Sequence, residues 1–308
     1  MCSGTLPRVT RGRLLLLAVL AAIVVAPASG ASMSARHRTP YAGLGTWLDI
    51  YATPSWLHPG QEVAAMARVG VKTLYLQTGN YGQRVDLVRP RALGRFVDAA
   101  HRDGMRVVAW YLPSFANPAQ DARRALAAIR FRSPHGERFD SFALDIEAGF
   151  VKPVALRNAR LLQLSARLRA AAGRRYALGA IIPSPVGMRR HPRYWPRFPY
   201  RGLDRYYDVF LPMAYATDAH VRGVEATFAY NAADVVAIRM HTGDPRVPIH
   251  MIGGLSNAMG AAETAGFMRA VAACAPLGYS LYAFPGTSRS AWSALSTRPA
   301  ATASRACS

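Results

Sequence analysis

Strand-like and helix-like segments alternate along this chain with a regularity that few folds can accommodate. Short apolar or β-branched runs, bounded by glycine, proline or polar residues, predict strands over residues 46–51, 71–77, 106–111, 139–147, 176–182, 208–215, 247–252 and 279–284. Amphipathic windows between them predict helices over residues 61–69, 91–102, 119–130, 154–172, 224–241, 261–274 and 290–295. A proline- and aromatic-rich stretch, 183–200, stands where one more helix is expected.

Eight strands alternating with about as many helices are typical of an α/β protein that forms a single (β/α)8 barrel of about 250 residues. A doubly wound open sheet has the same alternation and is the alternative. Such a sheet carries a glycine-rich phosphate loop after its first strand, whereas this chain has Tyr51-Ala52-Thr53-Pro54 at that point. The sequence therefore predicts one barrel domain over residues 43–296.

The first residues have the pattern of a secretory signal peptide. Arg8, Arg11 and Arg13 precede an apolar run over residues 14–25, and Ala26-Pro27-Ala28 follows as a small-residue cleavage site. The run is shorter than the roughly 20 residues of a membrane span, and an uncleaved anchor is the alternative. We predict a protein that is secreted or associated with the cell envelope and has no stable membrane insertion after cleavage. Its predicted parts are a signal peptide over 1–28, a linker over 29–42, the barrel and a tail over 297–308.

The chain is strongly basic, with 38 Lys and Arg against 17 Asp and Glu and a formal net charge of +21. Only Lys72 and Lys152 are lysines, and the arginines are spread singly or in pairs. A GC-rich genome produces such an arginine bias without selection for function. The alternative is retention at an anionic envelope polymer. No nucleic-acid-binding motif accompanies the charge, so we do not expect a nucleic-acid partner.

Two of the three cysteines, Cys274 and Cys307, remain after signal cleavage. They can form one disulfide that ties the tail to the last helical region. Alternatively, the Ser/Thr/Ala-rich tail is disordered and both thiols stay free.

The fourth predicted strand carries the residues that point most directly to chemistry. In a barrel, active-site residues lie at the mouth, where the C-terminal ends of the strands meet. Asp145 and Glu147 are two positions apart, so they project to the same face of a strand. Burying two like charges together raises the pH at which one of them loses its proton, which is what a general acid needs. The alternative is a structural pair held by arginines.

The spacing Asp140-x-x-Ala143-x-Asp145-x-Glu147 resembles the D-x-x-D-x-D-x-E motif of the chitinase-type (family 18) glycoside hydrolases, with alanine at the second aspartate. The resemblance implies a TIM barrel and a substrate-assisted retaining mechanism. In that mechanism Glu147 protonates the glycosidic oxygen. The 2-acetamido group of the sugar attacks the anomeric carbon, oriented by Asp145 and by a tyrosine on the sixth strand.

That tyrosine is Tyr215, because Met213-Ala214-Tyr215 is similar to the M-x-Y-D motif of the same family. Ala216 stands where the family has its aspartate. The alanines at positions 143 and 216 leave open a second function, a carbohydrate-binding protein without catalysis on the same barrel.

Other strand ends supply candidates for substrate binding. Asp49 is either a second carboxylate opposite Glu147 or a buried hydrogen-bonding residue, and Gln77 either binds sugar hydroxyls or caps a loop. Sugar rings stack on aromatic side chains through their apolar C–H faces, and we expect the aromatic residues of the fifth loop to line the cleft. The complete set of substrate-binding candidates is Asp49, Tyr51, Gln77, Trp110, Tyr111, Trp195, Met213 and Tyr282.

The motifs of several other enzyme classes are absent. The chain has no H-E-x-x-H pair for zinc, no G-x-S-x-G elbow and no P-loop. We therefore predict no metal and no cofactor, and we interpret His250 as a core histidine. The sequence predicts a secreted glycoside hydrolase that acts on an extracellular or cell-wall polysaccharide or oligosaccharide, with catalytic residues Glu147, Asp145 and Tyr215.

Overall fold

Eight parallel strands close into one barrel in the computed structural model, which describes residues 1–4, 38–297, 299 and 307. Each strand pairs with the next along the chain, and the eighth pairs with the first. Closure leaves no unpaired sheet edge. The fold is the predicted (β/α)8 barrel. Its strands are β1 (Gly43–Leu48), β2 (Thr73–Asn80), β3 (Arg106–Leu112), β4 (Ser141–Asp145), β5 (Leu178–Pro183), β6 (Val209–Met213), β7 (His250–Leu255) and β8 (Gly278–Tyr282).

Helices surround the barrel, and several of them begin at a proline. Pro59, Pro90 and Pro118 each occupy the first helical position, where the fixed φ of proline suits the helix and its missing N–H costs nothing. The helices are α1 (Thr53–Leu57), α2 (Pro59–Arg68), α3 (Pro90–Arg102), α4 (Pro118–Arg130), α5 (Val154–Ala172), α6 (Pro185–Arg190), α7 (Tyr200–Asp204), α8 (Val224–Thr242), α9 (Ala261–Cys274) and α10 (Arg289–Ser296). Within the described ranges, no helix combines the length and the apolar character needed to cross a bilayer.

The first strand starts earlier than predicted because its glycines belong to the barrel rather than to a loop. A Cβ on Gly45 would lie 2.6 Å from the ring of Tyr75, so the tight approach of β1 to the lumen requires glycine there. The poorly marked stretch after β5 holds two short helices, α6 and α7, instead of one long helix.

Alternation along the strands sorts the side chains into two cores. One lies between the strands and the helices, and the other fills the barrel lumen with residues that include Trp47, Tyr75, Trp110, Ala143 and Ile181. Large side chains therefore fill the lumen, and polar groups that face inward near the mouth pack on these apolar side chains.

The floor of the lumen is closed by a residue that precedes β1. Tyr41 is fully buried; its hydroxyl donates to the Phe142 carbonyl at 3.0 Å and lies 2.6 Å from Ser141 Oγ. Nδ1 of His250 lies 2.9 Å from the Tyr41 carbonyl oxygen. The predicted linker over 29–42 therefore extends too far, because Tyr41 is part of the barrel.

A disulfide joins Cys274, at the end of α9, to Cys307. Of the two alternatives for these cysteines, the structure has the bridged one, and it attaches residue 307 to the outer layer of the barrel. The predicted signal peptide falls outside the described residues apart from its first four positions.

Candidate active site

Asp145 and Glu147 lie together at the mouth, where β4 ends. The ladder continues one residue past the strand, because the Ile146 N–H donates to the Ile181 carbonyl at 2.8 Å. Ile146 packs into the outer core between strands and helices, and its two neighbours point the other way, toward the lumen. Asp145 is buried, with 6% of its surface exposed, and Glu147 is half-buried.

Burial dominates the electrostatics of this pair. It raises the pKa of Asp145 well above the usual range, and the negative charge of Glu147 raises it further. Burial also raises the pKa of Glu147. Among the described residues, no group donates a hydrogen bond to the buried Oδ1 of Asp145. The pair therefore holds a proton at a pH where exposed carboxyl groups have lost theirs.

Two tyrosines lie beside the carboxylates. The rings of Tyr215, after β6, and Tyr282, at the end of β8, have centroids 6.3 Å apart. Burial raises the pKa of the Tyr215 hydroxyl, and the charges of Tyr282, Asp145 and Glu147 raise it further. Met213, the last residue of β6, packs against the lumen core next to them. The ends of β4, β6 and β8 thus place these predicted residues in one site.

Asp49 belongs to the same mouth, but both of its oxygens are occupied. Oδ1 accepts hydrogen bonds from the N–H groups of Tyr51 (2.8 Å) and Ala52 (3.0 Å), and Oδ2 accepts one from the Tyr282 hydroxyl at 2.7 Å. This arrangement favours the hydrogen-bonding interpretation over that of a second catalytic carboxylate.

Trp110 and Gln77 face inward, with different consequences. Trp110 contacts Trp47 edge-on at 5.9 Å, and within the described part of the chain its buried indole N–H has no acceptor. This buried donor is therefore available to a polar ligand that enters the mouth. Gln77 accepts from the Ile50 N–H at 3.0 Å and so caps the β1 loop, the second of its two predicted roles.

Two of the predicted binding residues lie outside the mouth. Tyr111 is fully buried in the outer core, where its hydroxyl donates to Asp121 Oδ1 at 2.9 Å, because neighbouring residues of β3 face opposite sides. Trp195 is also buried: the Arg157 guanidinium lies 4.1 Å from its ring centroid, and its indole N–H donates to Asn158 at 2.8 Å. The predictions for Tyr111 and Trp195 are wrong.

Tyr194 belongs to the fifth-loop aromatic residues that we expect to line the cleft, although it is not in the set of substrate-binding candidates, and it contacts Glu147. The hydroxyl of Tyr194 donates to the backbone oxygen of Glu147, and 37% of Tyr194 is exposed. A cavity of about 470 Å³ opens beside it, lined by Pro183, Ser184, Gly187, Met188, His191 and Tyr194. In the sequence, only its place among the aromatic residues of 183–200 marked Tyr194.

Comparison with known proteins gives a fold but no family. No protein-family model matches the chain, and no curated protein matches it in sequence. Among solved structures, an endo-β-1,4-mannanase from Thermotoga petrophila superposes with a TM-score of 0.59 at 10% identity, covering 79% of this chain and 68% of the mannanase.

Two further structures are similar to a comparable degree. A class V chitinase from Pseudomonas fluorescens has a TM-score of 0.57 at 13% identity over 82% of this chain and 98% of its own. The spore cortex-lytic enzyme SleL from Bacillus cereus has a TM-score of 0.59 at 8% identity, and the match covers 82% of this chain and 73% of SleL. At these identities the likeness establishes the fold alone, a (β/α)8 barrel of the kind on which these three proteins are built.

Proposed function

We propose that this protein is a glycoside hydrolase that acts on an extracellular or cell-wall polysaccharide, with Glu147 as the proton donor and Asp145 as its partner. The observation that carries the proposal is the Asp145–Glu147 pair, buried at the mouth of the barrel with both pKa values raised. A half-buried carboxyl group that keeps its proton and still faces the mouth is suited to protonate a leaving oxygen.

The proposed reaction begins with proton transfer from Glu147 to the glycosidic oxygen as the bond from that oxygen to the anomeric carbon breaks. Following the family 18 resemblance, the carbonyl oxygen of a neighbouring 2-acetamido group forms the new bond to the anomeric carbon. Asp145 and the Tyr215 hydroxyl orient that group. Water then attacks the anomeric carbon as the bond from that carbon to the acetamido oxygen breaks. The Glu147 carboxylate takes the proton that this water loses, which restores the acid.

The other residues of the mouth would bind the sugar. The Trp110 N–H offers a free donor, while Met213 and the ring of Tyr282 form an apolar surface next to the carboxylates. Asp49 would act by fixing Tyr282 rather than by touching the reacting atoms.

We also propose that the protein is exported. The signal-peptide pattern of residues 1–28 supports this, and so does the Cys274–Cys307 disulfide, since structural disulfides persist in oxidising compartments. Association with an anionic envelope polymer is a further expectation from the +21 charge.

One observation favours the second function, a non-catalytic carbohydrate-binding protein. Ala143 and Ala216 are fully buried, so the two positions where the resembled motifs carry aspartates present only methyl groups. A site without those carboxylates has fewer groups to bind and orient an attacking acetamido group.

Release of reducing ends from a panel of glycans tests the proposal. The panel contains an N-acetylglucosamine polymer, β-1,4-mannan, a uronic-acid polymer and peptidoglycan. Glu147→Gln should lower turnover about 10²- to 10⁴-fold, whereas Glu62→Gln, on the outer helix α2, should leave it unchanged. Equal turnover by wild type and Glu147→Gln would refute the hydrolase. Equal glycan affinity of the two proteins, with no product from either, would identify the binding protein.

A further inference from the structure

The exposed aromatic side chains are gathered at one end of the barrel. In the part of the chain that the structure describes, four aromatic residues are exposed: Tyr51, Tyr81, Phe150 and Tyr194, with exposed fractions between 37% and 71%. They lie on the loops that follow β1, β2, β4 and β5, and all of these loops belong to the mouth. Exposed apolar surface that concentrates on one face marks a binding surface.

Neighbouring rings within this set are linked. Tyr81 and Phe150 are in edge-to-face contact, with centroids 4.7 Å apart. The hydroxyl of Tyr51 accepts a hydrogen bond of 2.7 Å from Asn80, the residue before Tyr81. The first three rings therefore form one continuous surface from the β1 loop to the β4 loop.

The fourth ring connects this surface to the proposed proton donor. A Cβ on Gly149, the residue before Phe150, would lie 3.8 Å from the ring of Tyr194. The Tyr194 hydroxyl donates to the backbone of Glu147. We call Tyr51, Tyr81, Phe150 and Tyr194 the aromatic row.

The backbone beneath the row is held in place although the rings are exposed. The buried guanidinium of Arg124 donates to the carbonyl oxygens of Asn80 and Tyr81, both at 2.9 Å, and to that of Gln83. The N–H of Tyr81 donates to the Leu112 carbonyl at 2.9 Å. Surfaces ordered before binding lose less entropy when a ligand arrives.

A cavity lies beside each end of the row. Next to Tyr51 a cavity of about 440 Å³ is lined by Ile50, Tyr51, Thr53, Gln83, Val85, Val88 and Arg89. Next to Tyr194, whose hydroxyl donates to the backbone of Glu147, lies the cavity of about 470 Å³ described above. The first cavity is lined by amide, hydroxyl and guanidinium groups as well as apolar side chains, and the amide of Asn80 contacts the Tyr51 hydroxyl within the row.

We propose that the aromatic row is a track for a polysaccharide chain, so that the substrate is a polymer that spans several sugar units rather than a short oligosaccharide. This inference rests on the proposed function, because it assigns the substrate class of the same site. Sugar units present apolar C–H faces that stack on rings and hydroxyls that bond amides. A purely apolar protein partner would offer the side-chain amide of Gln83, which lines the cavity beside Tyr51, no polar partner.

Affinity measurements in the inactive Glu147→Gln background test the track. The probes are the four polymers of the panel and the disaccharide of the polymer bound most tightly. Tyr81→Ala and Phe150→Ala should each weaken polymer binding about three- to tenfold and leave disaccharide binding unchanged. Met240→Ala is the control, because Met240 is 70% exposed in the last turn of α8, at the end of that helix remote from the mouth.

The outcomes separate the two proposals. Polymer affinity that is the same in Tyr81→Ala, Phe150→Ala and Met240→Ala would overturn the track even if Glu147-dependent hydrolysis is found, and so would failure to bind any of the four polymers. Polymer binding that depends on the row, without product from the wild-type protein, would retain the track and overturn the hydrolase.

Discussion

The Tyr282 hydroxyl donates a hydrogen bond of 2.7 Å to Asp49 Oδ2, at the place in the barrel where the last strand lies next to the first. The two residues come together only because β8 pairs with β1. Since Asp49 also accepts the N–H groups of Tyr51 and Ala52, one carboxylate holds both the β1 loop and a ring of the candidate site.

Substitution of Asp49 by alanine should destabilise the protein by about 1–3 kcal/mol, because it leaves three donors without their acceptor. Tyr282→Phe removes one donor and keeps the ring, so we expect a cost of about 1 kcal/mol. Urea denaturation of both variants measures the difference. Equal costs would mean that the bonds to the β1 loop contribute nothing.

Asp145→Asn should stabilise the folded protein at neutral pH by about 0.5–2 kcal/mol. The substitution removes a carboxyl group whose charged form is disfavoured by burial and by the charge of Glu147. The folded pKa of Asp145 is raised above the unfolded value, so the unfolded state gives up this proton first. Stability therefore falls as pH rises from the unfolded pKa through the folded one. Thermal unfolding at several pH values checks this: the gain should disappear at low pH, and a variant that is less stable at neutral pH would contradict it.

The pH dependence of kcat/KM should report the carboxylate pair. If Glu147 acts as the acid, activity is lost as pH rises through its raised pKa, above the range of an exposed glutamate. In Asp145→Asn the burial that raises the pKa of Glu147 remains, so the alkaline limb of the residual activity should stay in the same pH range. A limb that moves to lower pH would show that a charge on Asp145, rather than burial, holds the proton on Glu147.

The buried His250 should make the protein sensitive to mild acid. Burial lowers the pKa of His250 from 6.5 to about 4, and Nε2 lies 2.9 Å from Ser280 Oγ. In the unfolded chain His250 takes up a proton near pH 6.5, whereas in the folded barrel it stays neutral until about pH 4. Its contribution to the free energy of unfolding is therefore fully present above pH 6.5 and is lost as the pH falls toward 4. The loss from this group should be about 3 kcal/mol.

Denaturation free energies of wild type and His250→Gln, measured across that pH interval, isolate the contribution of this group. The variant should start less stable, since it disturbs the lumen, but should lose less stability between pH 6.5 and 4. Parallel curves would mean that His250 is protonated without cost.

The barrel and the carboxylate pair could be predicted because both depend on local periodicity. The two-residue repeat of a strand places Asp145 and Glu147 on one face whatever surrounds them. The same rule separates Trp110 from Tyr111, which face the lumen and the outer core, although strand ends alone made both of them candidates.

Exposure in the loops could not be predicted, because it depends on residues distant in the chain. Tyr194 and Trp195 are adjacent, yet Arg157 of α5 covers the tryptophan and only the tyrosine reaches the mouth. Phe150 and Tyr81 are equally ordinary in sequence. They belong to one surface only because the barrel brings the β2 and β4 loops together, and no periodic pattern in the sequence predicts that these two loops are neighbours.

The position of Tyr41 in the floor of the lumen has a consequence for the smallest chain that can form this barrel. The first strand begins at Gly43, but a chain that started at that residue would lack Tyr41, which closes the floor of the lumen. Removal of Tyr41 would eliminate both the carbonyl oxygen that His250 contacts and the hydroxyl that donates to Phe142. Water would then reach the apolar lumen from the end of the barrel opposite the mouth. The minimal folding unit is therefore set by a side chain that belongs to none of the eight strands.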